Sequence, residues 1–75
     1  MYTIYSKPNC SYCLQAKQLL EMEGLPFEYK QLGTHYNLDE LMTLFPNART
    51  FPMIVKDGEI VGGYSDLVEY LKQGY

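Results

Sequence analysis

The sequence predicts an α/β domain, a mixed four-stranded sheet flanked by three helices in the order βαβαββα. Three observations carry this. Short apolar runs alternate with segments of helical period, the pattern of a sheet with helices on its faces. The first strand, helix and second strand form a βαβ unit, which implies a parallel, right-handed crossover. Asp57-Gly58 lies between two apolar runs and marks a tight hairpin, so the last two strands are antiparallel.

Each element has a local reason. Residues 2–6 are β-branched and aromatic, suiting a first strand. Pro8 breaks it by removing a backbone donor and pushing Lys7 toward extended geometry. A helix is predicted from about Ser11 to Glu23, with Ala16, Leu19 and Leu20 on one face with Cys13 and Gly24 as its stop. Phe27 to Leu32 alternates apolar and polar residues as a second strand. Gly33 to Tyr36 is a loop. Asn37 then reads as an N-cap, with Glu40 closing a capping box for a short helix to about Phe45. Met53 to Lys56 and Glu59 to Val61 are the hairpin strands. Ser65 reads as the cap of the last helix, whose buried stripe is Leu67, Val68 and Leu71.

At 75 residues the chain is expected to be a single domain spanning 1–75. A domain of this size buries only ~60% of the surface of its unfolded chain, so its core is thin. The two cysteines are a poor staple, since closing so short a loop adds on the order of 2 kcal/mol. The 47% hydrophobic and 15% aromatic content must therefore build an ordinary packed core. A net charge of −3 argues against nucleic-acid binding, which needs a basic face. Nothing approaches the ~20 apolar residues that span a bilayer, and Met1 leads into an apolar run without a basic leader. A cytoplasmic location is expected, where a CxxC pair is more often catalytic or metal-binding than structural.

Cys10-Ser11-Tyr12-Cys13 stands at a strand-to-helix junction. Cys10 falls at the N-cap or the residue before it, where free amides and the helix dipole face its sulfur. Such sites bring thiols to about 3.5–7.5, and Lys7 adds positive potential. Cys10 is expected to be the exposed nucleophile. Cys13, one turn on and on the buried stripe, is the resolving thiol. A zinc site wants four ligands, and only His35, read as a solvated loop residue, is available to join the pair.

Two further segments extend the pattern: Arg49-Thr50-Phe51-Pro52-Met53 and Val61-Gly62-Gly63-Tyr64-Ser65-Asp66. Together with Lys7-Pro8-Asn9-Cys10-Ser11-Tyr12-Cys13 and Leu14-Gln15-Ala16-Lys17, they resemble the glutaredoxin family over essentially the whole chain. The resemblance implies a thioredoxin-like fold and a glutathione-dependent thiol–disulfide oxidoreductase acting on protein disulfides and glutathione mixed disulfides. It implies a cis Pro52, and pairing of the Phe51 backbone with the cysteinyl part of glutathione. Lys7 and Arg49 match the positions that attract the glycine carboxylate, with Thr50 beside them and Tyr12 flanking the peptide. Ser65 and Asp66 would hold the γ-glutamyl end. Gly62 and Gly63 let the backbone approach closely. Lys17 reads as a surface residue outside the site.

A monomer with no permanently bound cofactor is expected; the resemblance implies glutathione as co-substrate and ribonucleotide reductase as one acceptor to which electrons could flow. Ser11 stands where the commonest family motif has proline. Some glutaredoxins with serine there are known to bind a [2Fe–2S] cluster between two subunits, so a glutathione-ligated cluster dimer through Cys10 is an alternative. Another is a hydrogen donor reduced by thioredoxin reductase, which has no use for the Gly62-Gly63 and Ser65-Asp66 clamp.

Overall fold

The computed structural model describes residues 1–46 and 51–73. It contains β1 (Tyr2–Ser6), α1 (Ser11–Met22), β2 (Phe27–Gln31), α2 (Leu38–Leu44), β3 (Met53–Lys56), β4 (Glu59–Gly62) and α3 (Tyr64–Lys72). The strands lie in the order β2-β1-β3-β4. β1 runs parallel to β2, with Ile4 opposite Tyr29, and antiparallel to β3, where Ile4 faces Ile54. The element order, the parallel β1–β2 pair and the antiparallel β3–β4 pair are as expected; the place of β3 beside β1 is set by the fold.

Strand burial follows from position in the sheet. In β1 only alternate residues, Tyr2, Ile4 and Ser6, are buried. In β3 three consecutive apolar residues, Met53, Ile54 and Val55, are buried, because helices cover both faces of this inner strand. On one face Tyr2, Ile4 and Ile54 meet Ala16 and Leu20 of α1 and Leu67 of α3. On the other, Met53 and Val55 pack against Tyr36, Leu41 of α2 and Phe45.

The turns obey local chemistry. Asp57 and Gly58 adopt φ of 49° and 86°, the left-handed pair that a two-residue hairpin needs. Asn37 accepts a hydrogen bond from the Glu40 N–H at 2.8 Å, while the Glu40 carboxylate accepts from the Asn37 N–H at 3.1 Å, completing the capping box. His35 closes its loop through Nδ1, which accepts the Gln31 N–H at 3.0 Å. Register shifts between Ile54 and Val55, so β4 carries an extra residue before Gly62. Such a bulge bends its strand and turns the chain beyond it. Here it leads the chain into α3.

The cap of α3 differs from expectation. Gly63, not Ser65, is the N-cap, and Ser65 lies inside the first turn. The Asp66 carboxylate reaches back and accepts the Gly63 N–H at 3.1 Å. Ser65 has the right chemistry for a cap, but the bulge brings the helix in earlier.

Tyr36 ties the segment before α2 to the end of β1. Its hydroxyl donates to the Ser6 carbonyl at 2.6 Å, and that oxygen also accepts the Leu32 N–H at 2.8 Å. Burial, then the neighbouring Tyr5 and Tyr29, push its pKa from 10.0 up to about 12. Between these values the unfolded chain has lost the proton and the folded chain keeps it. Stability is therefore intact below pH 10 and falls toward pH 12, by on the order of 2 kcal/mol. Urea unfolding at pH 9 and pH 11.5 checks this. Tyr36→Phe should cost about 1 kcal/mol at pH 9, since Ser6 retains one partner, and should flatten the alkaline fall. An equal alkaline fall in the variant would refute the assignment to Tyr36.

Candidate active site

The loop after β1 sets the cysteine pair. Lys7, Pro8 and Asn9 carry the chain off the sheet, and Asn9 at φ 59° turns it so that Cys10 becomes the N-cap of α1. Cys10 Sγ accepts the Cys13 N–H at 3.2 Å. A sulfur thus stands where a serine or aspartate oxygen ordinarily satisfies the first free amides of a helix. Cys10 and Cys13 are joined as a disulfide, with Cα atoms 5.3 Å apart. Cys13 is completely buried on the α1 stripe, whereas Cys10 is only partly covered. The pair is chemically alike and sterically unequal: one sulfur is approachable.

Two depressions border this region. A hollow of about 290 Å³ lies between the start of α1 and the start of α3, lined by Tyr12, Phe51, Gly63, Tyr64, Ser65 and Asp66. Tyr12, 58% exposed, and Tyr64 form its aromatic wall, with ring centroids 5.7 Å apart. Gly62, at φ 122°, immediately precedes the lining residue Gly63, and a Cβ there would run into the Asp66 carboxylate. The backbone conformation and the close approach both require glycine. The Phe51–Pro52 peptide bond is cis and Pro52 is fully buried.

The second depression, a groove of about 880 Å³, lies on the other side of Cys10, between α1 and β2. Lys7 and Lys17 line it together with Cys10, Leu14 and Tyr29. The Lys17 ammonium sits 5.3 Å from the Tyr29 ring centroid, and that of Lys7 5.5 Å from the Phe51 ring centroid. Both are within cation–π reach. Lys7 thus connects the groove to the hollow.

The candidates from the sequence are therefore partly reunited. Tyr12, Phe51, Gly63, Ser65 and Asp66 share the hollow; Lys7 and Cys10 line the groove beside it. Arg49 and Thr50 lie outside the described residues. Tyr64 and Lys17, which the sequence reading leaves out of the site, also line the two depressions. Tyr64 stands between Gly63 and Ser65 and carries an aromatic ring, a signal at hand. Lys17 gives none, because its neighbour Tyr29 is twelve residues away on another element. Among the described residues, no three His, Cys, Asp or Glu side chains gather as a metal-binding group.

A family model for glutaredoxin matches residues 2–61. Glutaredoxin 3 of Escherichia coli is 34% identical over 64 residues, covering 85% of this chain and 77% of that protein. A hybrid peroxiredoxin of Haemophilus influenzae is 35% identical over 68 residues, covering 91% of this chain but 28% of that protein. The chain spans less than two thirds of several of the curated relatives it matches, 28% to 63% of their lengths. The crystal structure of a buckwheat glutaredoxin–glutathione complex superposes with a TM-score of 0.80 at 25% identity, over 97% of this chain and 69% of that one. The fold is thioredoxin-like, as the resemblance implied. A half-accessible cysteine capping a helix, its buried partner one turn on, and a matching family model over most of the chain lead to one assignment: the chain belongs to the glutaredoxin family, whose members are thiol oxidoreductases.

Proposed function

We propose that this chain is a single-domain, dithiol CSYC-type glutaredoxin, a glutathione-dependent oxidoreductase that reduces protein disulfides and glutathione mixed disulfides. The observation that carries the reading is Cys10 as N-cap of α1, its sulfur receiving the Cys13 N–H while Cys13 itself is buried. In the reduced protein, that N–H and the helix dipole favour negative charge on the Cys10 sulfur. The thiolate attacks a substrate disulfide. The Cys10–substrate S–S bond forms, the substrate S–S bond breaks, and the leaving thiolate takes a proton from water. Cys13 then gives up its proton and attacks Cys10 Sγ, expelling the second substrate thiol and leaving the Cys10–Cys13 disulfide. One glutathione thiolate opens that bridge at Cys10, and a second removes the first as glutathione disulfide. Two electrons pass from two glutathiones to the substrate.

The hollow is the seat proposed for glutathione. Its volume suits a small peptide; Asp66 is the charged side chain of its lining, and Lys7 stands in the adjoining groove. The amides opening α3, with the Ser65 hydroxyl, suit the γ-glutamyl carboxylate. Asp66 spends Oδ2 on Gly63, and its Oδ1 suits the ammonium. Tyr12 and the Phe51 backbone flank the cysteinyl part, beside buried Pro52, and Lys7, with Arg49 and Thr50, takes the glycine end. The glutathione complex of the buckwheat relative supports this use of the fold. A cluster bridging two copies would find one approachable thiolate per chain, Cys10. Four-thiolate ligation would then draw two more from glutathione, and Ser11 remains its one support.

The test is turnover of a glutathione mixed disulfide coupled to glutathione reductase and NADPH. Steady NADPH consumption that saturates with glutathione is the expected result. Absence of turnover, with the disulfide reducible by thioredoxin reductase instead, would overturn the reductant.

A further inference from the structure

We infer that the groove between α1 and β2 docks the acidic flank of protein disulfide substrates, and that Lys17 selects it. The inference deepens the proposed exchange at Cys10 and does not depend on which reductant closes the cycle. A protein substrate joined to Cys10 extends well beyond the reacting sulfur, and the glutathione hollow is too small for it. The groove is about three times larger, 880 against 290 Å³, and Cys10 is among its lining residues. Its floor offers apolar contact from Leu14, 53% exposed, and from the Tyr29 ring.

Charge gives the groove its preference. The chain has nine acidic side chains and six basic ones. None of the acidic ones lines the groove, yet two of the basic ones do. Among the described residues, neither Lys7 nor Lys17 is held in an ion pair. Lys17 instead lies over Tyr29, which holds its ammonium at the groove. The surface beside the nucleophile is thus a local positive patch on a negative protein. An extended segment with carboxylates beside its cysteine is the complementary partner. Each exposed pair is weak, so two select without trapping the product.

The experiment uses the full chain, reduced with dithiothreitol and desalted. It is mixed in single turnover with disulfide-linked dimers of a short cysteine peptide, carrying Glu or Gln on both sides of the cysteine. Cys10 attacks the peptide disulfide and releases one peptide thiol; Cys13 then releases the second. At low salt the Glu peptide is expected to react about fivefold faster than the Gln peptide, and ~0.5 M salt should erase most of the difference. Lys17→Gln should lower the Glu-to-Gln rate ratio about threefold, and Lys17→Arg should keep it. Lys72→Gln on α3 removes the same charge elsewhere and should keep the preference. Equal rates for the two peptides would overturn the inference. So would equal losses in Lys17→Gln and Lys72→Gln, which would mean attraction by overall charge alone. Failure of the glutathione reading would appear separately, in the coupled assay.

Discussion

Cys10→Ser should abolish turnover of every disulfide substrate, whereas Cys13→Ser should spare small glutathione mixed disulfides and lose most action on protein disulfides. The asymmetry comes from position. Cys10 caps α1 and is partly exposed, so its sulfur both receives the helix amide and meets the substrate. A serine hydroxyl there keeps the cap but is not ionised near neutral pH and forms no disulfide. The expected loss is at least ~10³-fold, the scale of removing a nucleophile. Cys13 is fully buried and reaches the substrate only through Cys10. With it gone, a protein substrate stays on Cys10 until a thiol from solution arrives, and a bulky partner slows that arrival. Glutathione bound at Cys10 presents a small adduct that a second glutathione reaches directly. Rates on both substrate classes, with the trapped adduct weighed by mass spectrometry, test the division. Equal losses on both classes in Cys13→Ser would refute it.

Features encoded by near neighbours are legible in the sequence. The Asn37–Glu40 capping box, the Asp57-Gly58 turn and the capping cysteine each involve residues within four positions of one another. Side-chain type and spacing are enough for these. The α3 cap misleads for the same reason. Ser65 is the better cap by type, and a register shift against β3, a property of strand pairing, displaces it. Cis geometry at Pro52 comes through family resemblance, because cis is the minor form at most X–Pro bonds. Lys17 escapes a reading by spacing, which relates it to Cys13, while its place depends on Tyr29 across the α1–β2 crossover. The cysteine pair is legible; the residues that shape the ground around it need the fold.

The other large effect concerns how little holds the hollow proposed for glutathione in place. Gly63, Ser65 and Asp66 all sit at the opening turn of α3, and Leu67 is the single fully buried residue of that helix among those described. It packs with Ile4, Leu20 and Ile54 in the core beneath. Leu67→Ala would leave a cavity there and is expected to cost ~3 kcal/mol, within the range of about 2–5 for a buried leucine. Against a total of ~4–11 kcal/mol for a domain of this length, that is a large share. The urea midpoint should fall by roughly 2–3 M, whereas Met22→Ala, 81% exposed, should change stability by less than ~0.5 kcal/mol. The loss should also reach function. With its anchor shortened, α3 holds the Asp66 carboxylate and the first amides less firmly, so KM for glutathione should rise more than kcat falls. Cys10 exchange with a small disulfide should stay near its normal rate, because α1 keeps its own anchors in Cys13, Ala16 and Leu20. A Leu67→Ala protein that loses stability but keeps its KM would show that the hollow is held by the β4 bulge and Gly62 rather than by the packing of α3. The same stability loss with a raised KM would place the grip of α3 on the core within the binding step.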